Sequence, residues 1–202
     1  MKETPWGLWD PLAIPELAEV LHGLEARWWV AGGFALEAFV GRRWREHDDI
    51  DAAVRREDQE ALRDTLIGWD VHVADPPGTL RPWLAGEHLG AAIQDIWVRR
   101  DATSPWRFQL MLDESDGDDW VFRRDARIRL PMIGLTWEHD GLLFIKPEVQ
   151  LLYKSRGRRA KDEVDLRVVL PLLPDGARRW LVEALELADP SNPWLPTIRS
   201  RE

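Results

Sequence analysis

Two aspartates separated by one residue, Asp49 and Asp51, close a segment reading WWVAGGFALEAFVGRRWREHDDID from Trp28 onward. If HDDIDAAV is extended, side chains alternate, so both carboxylates project from one face about 6.5–7 Å apart at Cα while Ile50 packs on the other. Carboxylates at that spacing repel one another unless a cation neutralises them. A hard divalent ion such as Mg²⁺, which takes oxygen ligands and keeps positions open for substrate phosphates, is the natural occupant. Acidic pairs at strand ends are also commonly just solvated; here Ile50, Ala52, Ala53 and Val54 surround the pair with apolar positions.

The elements that must position this pair lie just upstream. Trp28, Trp29, Val30 and Ala31 are aromatic and β-branched, too few for a helix, and predict a buried strand. Gly32-Gly33 then allows close backbone approach. Phe34 to Val40 reads as a helix that stops at Gly41. Backbone amides at a glycine turn opening a helix can seat phosphate oxygens, although the Gly-Lys-Ser/Thr ending of a Walker loop is missing. A plain turn between strand and helix is the bland alternative for the glycine pair alone.

The order Gly32-Gly33, then Arg45-x-His47-x-Asp49-Ile50-Asp51, resembles the signature of the polymerase-β-type nucleotidyltransferase superfamily, and within it the aminoglycoside and lincosamide branch. A second likeness is carried by Pro147-Glu148, LLYKS and Lys161-Asp162-x-x-Asp165, similar to a KDxxD helix of that branch. The resemblance implies an α+β fold, a small mixed β-sheet flanked by helices, with a C-terminal helical subdomain. It also implies a Mg-dependent enzyme with two ions and ATP or another NTP as co-substrate, moving AMP to a hydroxyl of a small acceptor, with antibiotic resistance as the associated role. Asp49 and Asp51 would hold metal. In the superfamily a third carboxylate on a neighbouring strand completes the site or acts as base; Asp113 is the candidate and Asp95, in IQDIWV, the competitor. Gly32 and Gly33 would seat phosphates, Arg45 and His47 would brace the aspartate strand or touch phosphate, and Lys154 or Lys161 would contact the triphosphate. The resemblance also admits an antitoxin of nucleotidyltransferase type acting on a partner toxin protein, or a non-catalytic nucleotide-binding relative.

The composition bounds these readings. The chain has 202 residues, 45% hydrophobic, enough for one domain or a catalytic domain of residues 1–145 with a helical subdomain of 146–202. With no cysteine, a disulfide framework or thiolate metal site is excluded. No membrane-length apolar run or signal-peptide pattern is present, so the expectation is a soluble cytoplasmic protein without a membrane partner. A net charge of −9 argues against nucleic acid as a partner, since neutralising a phosphate backbone needs a basic stripe. It suits a cationic small acceptor, though acidity serves solubility too. The cluster Asp113, Glu114, Asp116, Asp118 and Asp119 is not a calcium loop: with Gly117 at the invariant glycine position, the first ligand position is Leu112. It reads either as a solvated turn or as a negative rim, through Glu114 and Asp116, for a polyamine-like or aminoglycoside acceptor.

Elsewhere the chain supplies scaffold. A helix is predicted from Pro15 to Ala26 and another over Ala61 to Ile67. Strands are predicted at Trp69–Ala74, Ile93–Arg99, Arg107–Asp113 and Trp120–Arg124, and residues 1–10 read as irregular. Residues 75–92, rich in proline and glycine, form a long loop, either a pocket wall or a surface excursion. From Pro147, helices are expected over Glu148–Ser155, Asp162–Leu173 and Pro174–Ala188, with Lys154, Arg156, Arg158, Arg159 and Lys161 as a basic island. Thirteen tryptophans are present; those at 6, 9, 83, 106, 120 and 194 stand in polar or turn-rich surroundings, where rings pack or, less commonly, line a pocket.

Overall fold

The computed structural model describes residues 1–200. By contact the chain divides into two units, the first comprising Met1–Val30 and Arg45–Ser115, the second Ala31–Trp44 and everything from Asp116 onward. A boundary at 145/146 falls inside the second unit.

The first unit is a mixed sheet. Its strands are β1 (Lys2–Thr4), β2 (Gly7–Trp9), β3 (Trp28–Ala31), β4 (Asp51–Arg55), β5 (Asp70–Val73), β6 (Arg81–Pro82), β7 (Asp95–Arg99) and β8 (Trp106–Asp116), with helices α1 (Ile14–Val20) and α3 (Gln59–Thr65). The spatial order is β3-β4-β8-β7-β5-β6. β4 and β8 run parallel, whereas β7 is antiparallel to both β8 and β5. Period-two alternation decides the faces: Ala52 and Val54, Phe108, Leu110 and Leu112, Ile96 and Val98, and Val71 and Val73 are buried. The residues between them, including Asp51, Gln109, Asp95 and Trp97, share the opposite face.

Among the departures from the sequence reading, two in the first unit have identifiable reasons. Residues 1–10 form the β1–β2 hairpin rather than irregular chain. Its support is distant: Trp9 pairs with Trp106, Asp10 and Leu12 donate backbone bonds to the Trp106 and Arg107 carbonyls at 3.0 and 2.9 Å, and Trp97 meets Trp6 and Trp9 edge-on at 5.7 and 4.8 Å. Three-residue strands carry no periodicity of their own. Helix α1 begins where Glu16 accepts the Ala13 N–H at 2.7 Å, but stops at Val20. Beyond it the bonds tighten to i→i+3, from His22 to Glu19 and Leu24 to Leu21, while Leu21 and Leu24 stay buried.

The 75–92 loop is ordered by buried and half-buried polar groups. Arg81 donates to Asp75 at 2.8 Å and to both Glu87 oxygens at 3.0 and 2.6 Å. Gln59 brackets Leu89, accepting its N–H at 2.6 Å and donating to its carbonyl at 3.3 Å. Arg56 donates to the Gly90 and Ile93 carbonyls. Trp83 is buried and donates to the Glu87 carbonyl at 2.9 Å.

The second unit consists of α2 (Gly32–Val40), two hairpins and four helices besides a short turn of helix, α4 (Met132–Leu135). The hairpins are β9 (Asp119–Val121) with β10 (Arg129–Pro131), and β11 (Thr136–His139) with β12 (Leu142–Ile145). The latter turns on Asp140-Gly141, both at positive φ, 50° and 76°, the Asp-Gly pattern of a two-residue hairpin turn. The helices are α5 (Pro147–Lys154), α6 (Ala160–Val169), α7 (Asp175–Ala188) and α8 (Trp194–Arg199). Leu151 and Leu152, Leu166 and Val169, Leu181 and Leu185, and Leu195 and Ile198 are among their buried residues. Five of the six tryptophans in turn-rich surroundings are core, and Trp6 remains 42% exposed. Among the described residues no helix is long and apolar enough to cross a membrane.

Candidate active site

Asp51 opens β4, and Asp49 stands two residues earlier, outside the regular strand. The ladder nonetheless reaches Ile50, whose carbonyl accepts the Gln109 N–H at 2.9 Å. Asp49 lines a small cavity of about 150 Å³ together with Gln109, Trp97, Trp9 and the Lys2 and Thr4 side of the β1 strand. Lys2 donates to the adjacent Asp48 at 2.5 Å. The register makes Gln109 the residue level with Asp51 on the neighbouring strand, with Trp97 one strand further.

That register corrects the expectation for Asp113. It pairs with Arg55, four residues beyond Gln109, so it is displaced about 13 Å along the strands from the level of Asp51. It is also only 3% exposed. Among the described residues no three histidine, aspartate or glutamate side chains converge as a metal site. The competitor lies nearer: Asp95 pairs with Met111, the residue level with Ala53, two residues rather than four from the level of Asp51, and it accepts from the Gln109 amide at 3.1 Å. Gln109 itself carried no signal beyond its place in an alternating strand; only pairing singles it out.

The flanking residues sort differently. Arg45 contacts the His47 Nδ1 at 3.0 Å and the Glu46 carbonyl at 3.2 Å, a local brace. Glu114 accepts from Arg56 at 2.8 Å, and Asp116 from Arg129 at 2.6 Å. The rim expected from these two acids is therefore one of arginine-paired carboxylates.

In the second unit, Gly32 starts α2 at φ 68°, and its N–H is given to the Gln150 side chain at 2.7 Å. Of the two glycine amides expected to seat phosphate, that one is committed to protein. Because a side chain at positive φ is strained, Gly32→Ala is expected to cost about 1–2 kcal/mol in urea unfolding, with Gly33→Ala clearly milder.

The KDxxD helix is a buried ion network. Asp162 and Asp165 are both fully buried, at i and i+3 on α6. Lys154, itself 7% exposed, reaches them at 3.0 and 2.9 Å. Asp165 also accepts the Trp44 indole N–H at 3.1 Å, and Asp162 accepts the Arg159 backbone N–H and Nε at 3.0 and 2.9 Å. Lys154 is thus turned inward onto two carboxylates, contrary to the triphosphate contact expected of it; Lys161 lies half-buried in the first turn of α6. Burial by itself would raise the Asp162 carboxyl, but the Arg159 donors and the Lys154 charge outweigh it and hold it down at about 2. Nearby, burial pushes the Glu148 carboxyl up.

The Asp162 value carries a pH dependence. The folded protein binds this proton less readily than the unfolded chain, whose Asp titrates near 3.9, so its contribution is complete above that pH and is lost as pH falls towards 2. Stability measured by urea unfolding should drop by about 2 kcal/mol over that window from this group alone. Asp162→Asn should flatten that part of the profile.

The comparisons agree with this architecture. A family model described as aminoglycoside-2''-adenylyltransferase matches residues 13–74, the stretch from α1 through the aspartate pair to β5. The fold is shared with the lincosamide antibiotic adenylyltransferase LnuA, solved with lincomycin bound, at a TM-score of 0.53 and 15% identity over 79% of this chain and 98% of that one. It is shared too with ANT(2'')-Ia, solved with adenylyl-2''-tobramycin, at 0.55 and 14% over 93% and 95%. No curated protein matches in sequence. The chain has the nucleotidyltransferase fold. The matched stretch includes the Gly-Gly and Asp-x-Asp residues, and the likeness to the two solved adenylyltransferases is one of fold.

Proposed function

We propose that this protein is an adenylyltransferase that moves AMP from ATP to a hydroxyl of a small cationic acceptor of the aminoglycoside or lincosamide kind. The observation that carries this reading is the carboxylate face. Asp51 begins β4, Asp49 lines the cavity beside it, and Gln109, level with Asp51, is hydrogen-bonded to Asp95. The acceptor oxygen forms a bond to the α-phosphorus, the α–β bridging bond breaks, and pyrophosphate leaves with its electron pair.

Two carboxylates with an amide neighbour suit Mg²⁺, which is commonly held by one or two carboxylates together with substrate phosphates. Asp49 and Asp51 would hold it, and bound there it supplies charge neutralisation for the triphosphate. Asp95 takes the acceptor's proton, and Gln109 fixes the carboxylate through the 3.1 Å bond. Trp97, edge-on to Trp9, gives the cavity a rigid aromatic wall against which a sugar ring can lie.

The test is incubation of pure protein with each NTP, Mg²⁺ and a panel of aminoglycosides and lincosamides, reading acceptor-dependent pyrophosphate release. Release with ATP and at least one acceptor supports the assignment; none with any pair defeats it. Asp95→Asn is expected to lower kcat by roughly a hundredfold or more with KM little changed, and Gln109→Leu by about tenfold. An Asp95→Asn protein of wild-type kcat would remove Asp95 from this role.

A further inference from the structure

The basic island does not act as one feature. Lys154 is turned into the ion network and Arg159 onto Asp162, but Arg156 and Arg158 face outward. Both are exposed and make no side-chain hydrogen bond or ion pair with the described residues. Together with Arg124 they border a cavity of about 390 Å³ lying wholly within the second unit, a size typical of small-molecule sites.

Its construction is specific. Its floor is Ala188 with the edges of Phe122 and Leu152, both almost fully buried, and its exposed walls are the three arginines. Arg124 is anchored by a 3.0 Å bond to the Tyr153 carbonyl and lies 5.9 and 5.8 Å from the Phe122 and Tyr153 ring centres. Arg158 sits at φ 44°, a backbone state that a residue with a side chain rarely adopts. Asn192 is held from two sides, donating to the Ser155 carbonyl at 3.3 Å and accepting the Trp194 N–H at 3.0 Å. The single acid at the rim, Asp189, is occupied by the Ser191 N–H and hydroxyl at 3.1 and 2.7 Å. Three positive charges therefore face one negative charge, in a chain of net charge −9.

Cations beyond the end of α5 do complement its C-terminal carbonyls, and that explains why arginine is tolerated there. It does not explain an open cavity bordered by three exposed arginines. Such a combination fits an anion that also carries a ring: planar N–H forks for phosphate oxygens and guanidinium faces on which a ring can stack.

We propose that this cavity binds a nucleoside polyphosphate through Arg124, Arg156 and Arg158, independently of divalent metal. None of Gly32, Gly33, Lys154, Lys161 or the site carboxylates lines it, and it holds no second carboxylate through which a metal could be shared. The binding is therefore separable from catalysis in the carboxylate site.

Calorimetry of the full chain in EDTA tests this, with ADP and inorganic tripolyphosphate as probes. Wild-type protein should bind ADP at micromolar concentration, and tripolyphosphate at least fivefold more weakly because it has no ring to stack on the guanidinium faces. Arg156→Ala/Arg158→Ala, both exposed positions, should weaken ADP at least tenfold with an unchanged melting temperature. Each single Arg→Gln change should weaken it about threefold, which covers a double variant that folds poorly. Asp49→Asn/Asp51→Asn should leave the EDTA affinity within twofold. The proposal is overturned by absence of ADP binding in EDTA, by insensitivity to the arginine changes, by loss in the aspartate variant, or by tripolyphosphate binding as tightly as ADP. Turnover with Mg²⁺ and acceptor is read separately, so failure here leaves the adenylyltransferase assignment standing, and the converse holds.

Discussion

Asp49→Asn is expected to abolish nucleotide turnover, by a factor on the order of 10³ or more, and to leave the fold in place. The size follows from the role proposed for the carboxylate: removing one of two anionic ligands of an ion that neutralises a triphosphate would remove charge stabilisation in the transition state itself. The intact fold follows from position. Asp49 is half-exposed, lies before β4 and contributes nothing to the buried strand face made by Ile50, Ala52 and Val54. Acceptor-dependent pyrophosphate release and a thermal melt together make the measurement. A variant retaining a tenth of wild-type turnover would show that Asp49 holds no essential metal. Asp113→Asn is the contrasting variant: buried and level with Arg55, it should lower stability while leaving kcat within a few fold.

Lys154→Ala is expected to be the most destabilising single change in the second unit. It would leave Asp162 and Asp165, both fully buried, without the ammonium that they share at 3.0 and 2.9 Å. Breaking one partner out of a buried ion group costs about 3–5 kcal/mol, because the remaining charges stay desolvated. For a domain of this length each kcal/mol moves the melting temperature by roughly 2–4 °C, so a fall of about 10 °C or more should appear by calorimetry. Joint neutralisation, Lys154→Met with Asp162→Asn and Asp165→Asn, should recover much of it. A Lys154→Ala protein melting within 2 °C of wild type would show that Lys154 is not structurally paired. Were the residue instead a triphosphate contact, its loss would raise KM for ATP with no change in melting.

Much of the candidate site was legible because its pieces are local. Trp28–Ala31, the diglycine, the helix ended by Gly41 and the start of β4 are fixed by residue size, β-branching and glycine's tolerance of positive φ, all expressed within some two dozen residues. The Asp113 expectation failed for a reason of the same physical kind. Alternation assigns a strand residue to a face but not to a level, and a shift by any even number of residues leaves every face unchanged. Asp113 and Gln109 differ by four, so both satisfied the pattern, and only the parallel pairing of β4 with β8 put Gln109 beside Asp51. Residues 1–10 were illegible because their strands depend on Trp97 and Trp106, nearly a hundred residues away.

The amino-acid sequence by itself pointed to the proposed class of chemistry and determined the local elements: an acid pair after a glycine turn, an alternating sheet and amphipathic C-terminal helices. Tertiary structure decided which groups act together. It joined Asp95 to Gln109, drew Lys154 inward between two aspartates, and turned Arg156 and Arg158 out to a cavity. Charge and spacing along a chain set what a residue can do, but strand register and helix packing are long-range choices, and these determine its neighbours.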